Sequence, residues 1–136
     1  MFKRIFQDYE GHVKEITGLK VCSLKVIIDR ENNDIILIWI GVNNNSNWYR
    51  IFIDGCYCGI DYYKNDLSNE DLDDDVICVD CNCINDEIIM RAKVETGNVI
   101  FGDSSILLTI EFLSGKKLLL FCYDFNGVCK LEIVPS

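Results

Sequence analysis

Cysteines spaced closely enough to share one metal ion are the first candidates for chemistry in this sequence. The stretch "VICVDCNCIND", residues 76 to 86, holds three of the eight cysteines, and "CYC", residues 56 to 58, holds two more. A zinc site needs about four thiolate or imidazole ligands, commonly from two close pairs. The weak candidates for such ligands are Cys56, Cys58, Cys78 and Cys81. Neither pair carries a glycine-rich knuckle turn, and single cysteines recur inside apolar stretches, so we expect packed or idle thiols with no metal and no cofactor.

Catalytic chemistry of other kinds has little support in the residues. A C-x-x-C redox site needs a thiol with a lowered pKa, whereas the run "EDLDDD" before Cys78 disfavours a thiolate. The one histidine, His12, is expected at the surface rather than in a catalytic pair. Phosphate-loop and nucleophile-elbow motifs are absent from the sequence, and "DLSNEDLDDDVI" lacks the glycine and glutamate of a calcium loop. We predict that the chain is not an enzyme, with a small carboxylate-dependent hydrolase as an alternative.

Acidic side chains are concentrated in one part of the chain. The net charge of the 136 residues is −9, so direct nucleic-acid binding, which needs Lys and Arg to neutralise phosphates, is not expected. Lys64 is the single basic residue between Asp61 and Glu87. This segment is either a solubilising loop or an acidic docking surface, rimmed by aromatic anchors, that steers a basic protein. The predicted partner-binding residues are Asp61, Asp66, Glu70, Asp71, Asp73, Asp74, Asp75, Asp80, Trp48, Tyr62 and Tyr63.

The elements that must position these residues are predicted to be short strands joined by tight turns. Alternating, β-branched stretches recur from "KVCSLKVIID" (20–29) to "VCKLEIV" (128–134), and "NNNSN" (43–47) favours left-handed loop geometry. Hairpin signals stand at Asp54 and Gly55, at Ser114 and Gly115, and at Asn126 and Gly127. We predict one domain, residues 1 to 136, of mainly β structure. It is an antiparallel sandwich or a partly open barrel of about eight or nine strands, with one short helix allowed near residues 64–75. The N-terminal stretch "FKRIFQDYEGHVKEI" (2–16) is either a first strand or a short helix packed against the sheet.

The compartment is predicted from what the sequence lacks. The longest apolar run, "IILIWIGV" (35–42), is far short of the roughly 20 residues that span a bilayer. The start, "MFKRIFQDYE", lacks the apolar stretch of a signal peptide. We therefore expect a cytoplasmic protein without membrane attachment, whose cysteines are mostly reduced.

Four features of the chain together resemble those of one class of proteins. These features are the acidic charge, the freely used cysteines, the lack of catalytic motifs and the hairpin "SILLTIEFLSGKKLLLFCYD" (105–124). They are similar to the immunity proteins of bacterial polymorphic-toxin and contact-dependent inhibition systems. The resemblance implies a stoichiometric inhibitor that binds a basic, nuclease-type toxin tightly and covers its active site with carboxylates that mimic phosphate. A β-barrel or sandwich that holds a small apolar molecule is the alternative, although the many large Ile, Leu and Phe residues favour a filled core.

Overall fold

Strands make up the secondary structure of the described chain. The computed structural model describes residues 2–54, 57–64, 75–97, 105–123 and 128–136, and within these ranges it has eleven strands and no helix. The strands are β1 (Phe2–Asp8), β2 (Gly11–His12), β3 (Val21–Asp29), β4 (Ile35–Val42), β5 (Asn47–Asp54), β6 (Tyr57–Lys64), β7 (Val76–Cys81), β8 (Ile89–Gly97), β9 (Ser105–Phe112), β10 (Lys117–Tyr123) and β11 (Cys129–Val134). The predicted mainly β class is confirmed, whereas eight or nine strands were too few. The short helix allowed near residues 64–75 falls largely outside the described residues.

Two antiparallel sheets pack face to face as a sandwich. The first sheet has six strands in the order β1-β6-β5-β4-β3-β7, and the second has five in the order β11-β10-β9-β8-β2. The sheets do not close into a barrel, so the sandwich is the correct one of the two predicted architectures.

The undercount of strands arises at the N-terminus. The Asp8 carboxylate accepts hydrogen bonds from the backbone N–H of Tyr9 and Glu10, at 2.7 and 3.4 Å, and this turn ends β1. The chain then crosses to the second sheet, where the two residues of β2 pair with β8. The N-terminal segment therefore supplies one edge strand to each sheet. The alternation of apolar and polar residues alone does not reveal this division.

The core lies between the sheets and is apolar. Inward-facing residues of both sheets pack against one another with 0–1% of their surface exposed: Ile38, Ile40, Ile51, Ile60, Leu108, Ile110, Phe112 and Leu118. They alternate with outward-facing residues along each strand, as the two-residue period of a strand requires. Burying each such side chain contributes roughly 1.5–3 kcal/mol. Large side chains thus fill the interior of the sandwich. A small apolar ligand, which was the alternative prediction, would have to bind in that same space.

Two of the predicted turns agree with the structure, whereas Asp54, which was predicted in a turn, is the last residue of β5 and pairs with Tyr57. Asn43, Asn44 and Asn45 have φ angles of 53°, 58° and 65°, which confirms the left-handed loop. In the turn at Ser114 and Gly115, the Phe112 N–H donates to the Lys116 carbonyl at 2.9 Å, and Gly115 has a φ of 96°. The strands next to the other two hairpin signals pair directly, but the predicted turns themselves lie wholly or partly outside the described residues.

Gly59 lies beneath an aromatic ring on the outer face of the first sheet, the face turned away from the second sheet. A methyl group added there would lie 2.8 Å from Phe52 Cε1. We expect Gly59→Ala to lower the free energy of unfolding by about 1–3 kcal/mol, although Ala normally suits a strand better than Gly. Chemical denaturation measures this loss, and in a Phe52→Ala background the same substitution should cost much less. An equal loss in both backgrounds would show that the ring is not the cause.

Candidate functional site

The predicted acidic residues are not placed alike. Five of them lie outside the described residues: Asp66, Glu70, Asp71, Asp73 and Asp74. Asp75 is exposed, and the Asp80 side chain is 70% exposed while it pairs with Lys25 at 2.7 Å. Asp61 is 0% exposed, which corrects the expectation that it belongs to an outward-facing acidic surface. The physical reason is that two arginines lie directly opposite it on the neighbouring strands.

A single row of side chains crosses the outer face of all six strands in register. We call it the charged row: Asp80, Lys25, Trp39, Arg50, Asp61 and Arg4. Each member is directly opposite the next, so the signs alternate on both sides of Trp39. Opposite charges facing one another across strands stabilise pairing, whereas like charges oppose it. The row therefore favours the observed register of the whole sheet.

The buried end of the charged row is a carboxylate held by two guanidinium groups. Arg4 Nε donates to Asp61 Oδ1, and Arg50 donates to Asp61 Oδ2 from Nη2 at 2.5 Å and from Nε at 3.2 Å. The hydrogen bond to Asp61 also raises the pKa of Arg4. Since both carboxylate oxygens are bonded, the burial of Asp61 is compensated, and the three residues together carry a charge of about +1.

Aromatic rings enclose Arg50. Its guanidinium carbon lies 5.4–6.0 Å from the ring centroids of Phe2, Trp39, Phe52 and Tyr63. Such cation–π contacts are worth about 0.5–2 kcal/mol each, more where water is excluded. The rings limit access to the guanidinium, and the outer face thereby acquires a small core of its own.

The predicted aromatic anchors take different positions. Trp48 is 2% exposed, and its indole N–H donates to the Asn45 carbonyl at 2.9 Å, so in the free chain it is a buried side chain and not an exposed surface ring. Tyr63 is half-buried between Phe2 and Trp39 on the outer face. Tyr62 points to the other face and packs against Tyr49, with ring centroids 5.3 Å apart. Trp48 and Tyr63 therefore lie together on the outer face, and Tyr62 lies apart from them.

A shallow depression of about 330 Å³ adjoins the aromatic layer. It is lined by Ile36, Leu37, Arg50, Phe52, Ile53 and Asp54. One guanidinium and one carboxylate therefore border an apolar floor. This arrangement would suit a small molecule that has an acidic or basic group on an apolar body.

The cysteine-rich stretch forms an edge strand of the first sheet. β7 pairs with β3 and with no other strand of the described chain. Ile77 and Val79 face the inner side and are each 37% exposed, while Cys78 and Asp80 face outward. An exposed edge strand with apolar side chains is a common place for another chain to bind.

The weak zinc candidates do not converge. Cys58 lies in the core of β6, where burial raises its pKa to about 12, and Cys56 is outside the described residues. Cys78 and Cys81 are on β7, at the opposite end of the strand order, about 19 Å from β6 at the usual strand spacing. Burial also raises the pKa of both of these thiols. No group of three or more possible metal ligands occurs among the described residues.

Sequence reasoning missed Arg4 and Arg50. The signal existed for Arg50, which is a charged residue between the apolar and aromatic residues of β5, whereas Arg4 follows Lys3 in a strand that is polar elsewhere too. A charge at such a position usually needs an opposite charge across the strand pair. His12, by contrast, is exposed on β2, as expected.

Comparisons with protein-family models, with curated proteins and with solved structures find no match. A search of the described chain finds no helix with the length and apolar character needed to cross a membrane. Geometry and charge are therefore the grounds for a proposal about function.

Proposed function

We propose that the chain is an acidic binding protein without enzymatic activity. Its partner is a basic, nuclease-type toxin domain, which it neutralises as a cytoplasmic immunity protein. The observation that carries this proposal is the composition of β7 and its flanks. The exposed Ile77 and Val79 side chains lie on its inner side, the exposed carboxylate of Asp80 lies on its outer side, and exposed Asp75 directly precedes the strand. Apolar contact area with a charged rim is the usual composition of a protein interface.

The charge of the chain supports a basic partner. A net charge of −9 steers positively charged proteins toward the surface and repels nucleic acid, so a nuclease would be met more readily than its substrate. Lys or Arg side chains that bind phosphate also bind carboxylate. Carboxylates beside β7 would therefore occupy the same groups of the toxin that its substrate needs.

The observed contacts give the alternatives less support. Asp61, the buried carboxylate of the described chain, has both oxygens bonded to arginines and none of its surface exposed, so a substrate does not reach it. The depression beside Arg50 favours a small-ligand role as a second candidate, in which a ligand with an acidic group binds outside the sandwich.

The toxin hypothesis is tested with the reading frame encoded beside the gene. The basic domain of that frame is expressed in a bacterial host with and without this chain. We expect the domain to stop growth, the chain to restore growth, and the two proteins to purify as an equimolar complex. A neighbouring frame without a basic domain, or growth arrest that the chain does not relieve, would contradict the proposal.

The role of the acidic segment is tested by removing three charges. We expect Asp73→Asn, Asp74→Asn and Asp75→Asn together to slow association with the toxin domain about tenfold at low salt and much less at high salt, because salt screens steering. Stopped-flow mixing measures the rate. The matched control removes three exposed charges elsewhere, with Glu10→Gln, Glu15→Gln and Glu132→Gln. Equal rates for the two variants at low salt would show that overall charge, and not this segment, governs the encounter.

A further inference from the structure

We infer that β7 is a docking strand, and that an extended basic segment of the partner adds to its open edge as a seventh strand of the sheet. The basic character of that segment rests on the proposed function. The strand-addition geometry rests on the backbone and side chains of β7 itself.

The hydrogen bonds to β3 show which backbone groups of β7 point away from the sheet. The Arg30 N–H donates to the Asp75 carbonyl at 2.8 Å, so Arg30 and Asp75 form a hydrogen-bonded pair. Such pairs alternate along antiparallel strands, and the pairing from Asp29↔Val76 to Leu24↔Cys81 has no register shift. Residues 77, 79 and 81 therefore bond to β3. The N–H and C=O groups of Val76, Cys78 and Asp80 point to the edge that no strand of the described chain covers, which we call the open edge.

β7 has fewer of the devices that protect the other sheet edges, since Asp80 is its one charged residue. β1 has a register shift between Arg4 and Phe6, β2 is two residues long, and β11 carries Lys130 and Glu132. Natural edge strands are commonly protected by irregularity, shortness or charge, especially lysine. β7 is a regular six-residue strand with no lysine and no proline, "VICVDC". Its open edge is therefore well suited to pair with another strand.

The side chains of β7 define a complementary strand. Residues of an added strand would alternate between the inner side, beside Ile77 and Val79, and the outer side, beside Cys78 and Asp80. Apolar residues would cover the 37% of Ile77 and of Val79 that is now exposed. Lys or Arg would face Asp80, whose side chain is 70% exposed. A second copy of β7 would instead bring more carboxylates to this edge, which disfavours self-pairing.

Amide hydrogen exchange of the free protein tests whether the edge is open. We expect the amides of Cys78 and Asp80 to exchange at least about tenfold faster than those of Ile77 and Val79, because only the latter are bonded to β3. Equal protection of all four amides would mean that residues 65–74 or a second copy already cover the edge, and the inference would be overturned. Protection that rises with protein concentration would identify the second copy.

Peptide binding tests the strand addition itself. The probe is acetyl-Lys-Val-Lys-Val-Lys-Val-amide, with the matched Glu-Val peptide as the charge control. We expect the Lys-Val peptide to bind and to protect the Cys78 and Asp80 amides, and the Glu-Val peptide to bind at least about tenfold more weakly. In an antiparallel added strand the lysines lie opposite Cys78 and Asp80, so a Lys-Val peptide with N-methylated lysines cannot donate to β7 and should also bind at least about tenfold more weakly. Failure of the Lys-Val peptide to bind would overturn the inference.

A proline at the open edge separates the backbone contribution from the side chain. Cys78→Pro removes an N–H that points outward and leaves the bonds to β3, whereas Cys78→Ser keeps that N–H and removes the thiol. We expect about tenfold weaker peptide and toxin binding for the proline variant and unchanged binding for the serine variant, with thermal unfolding as the check on folding. Toxin binding that is equal in both variants would overturn strand addition and leave the proposed function standing. If the wild type does not bind the toxin, the proposed function fails instead.

Discussion

Replacing Asp61 with alanine is expected to lower the free energy of unfolding by about 3 kcal/mol. The substitution leaves the guanidinium groups of Arg4 and Arg50 facing each other without the carboxylate that separates them. Removing one partner of a buried charge pair costs about 3–5 kcal/mol. We expect the lower end of that range, because the arginine side chains keep 32% and 26% of their surface exposed and can turn toward water. Urea denaturation followed by circular dichroism measures the change.

The apolar replacement of the whole cluster is the informative control. Arg4→Met, Asp61→Leu and Arg50→Met together remove all three charges, and such replacements are often neutral or stabilising. We expect the triple variant to be within about 1 kcal/mol of the wild type or above it. If Asp61→Ala alone proves as stable as the wild type, the arginines do not depend on this carboxylate.

The charged row has a consequence for strand register as well as for stability. A slip of two residues between β5 and β6 keeps every side chain on its own face but moves Arg50 from Asp61 to Gly59 or Tyr63. Either slip leaves a charge opposite a side chain that cannot neutralise it. The apolar pattern alone permits these slips. The charges therefore disfavour the two shifted registers, which the core does not.

Alternation of apolar and polar residues was sufficient to predict the fold class, because each strand buries one face against the other sheet. The asparagine run and the turn at Gly115 were predictable for a similar local reason, since both need left-handed backbone. The division of the N-terminal segment into β1 and β2 was not predictable. It depends on which sheet each piece meets, and that is a property of the folded chain.

The candidate site was harder to predict because it depends on cross-strand partners. A two-residue turn at Asp54 and Gly55 would pair Arg50 with Gly59. The observed pairing of Asp54 with Tyr57 places Arg50 opposite Asp61 instead. A shift of the hairpin turn by one position along the chain therefore decides whether Asp61 lies opposite Arg50. It thereby decides whether Asp61 is a surface acid or a buried one. The position of β7 at an edge likewise follows from strand order, which adjacent turns do not specify.

Trp48→Ala is expected to lower the free energy of unfolding by about 3–5 kcal/mol, as for other large aromatic side chains removed from a core. The indole is 2% exposed and packs with Ile27 and Trp39 in the outer-face core. Its ring also covers Gly41, where an added methyl group would lie 2.9 Å from two indole carbons. Loss of the ring therefore opens a cavity above a glycine that cannot fill it. Urea denaturation measures the change, with Trp39 as the remaining fluorophore.

A binding measurement separates this structural role from the role of an interface anchor. An anchor that touches the partner would weaken binding by at least about 2 kcal/mol when it is cut back to alanine. A buried support for β5 would instead reduce the folded fraction and leave the affinity of the folded molecules unchanged. The matched control is Phe2→Ala, which removes a ring that is 51% exposed on the same face and should cost about 1 kcal/mol of stability or less. If the folded Trp48→Ala protein binds the partner at least about thirtyfold more weakly, the indole contacts the partner in addition to supporting β5.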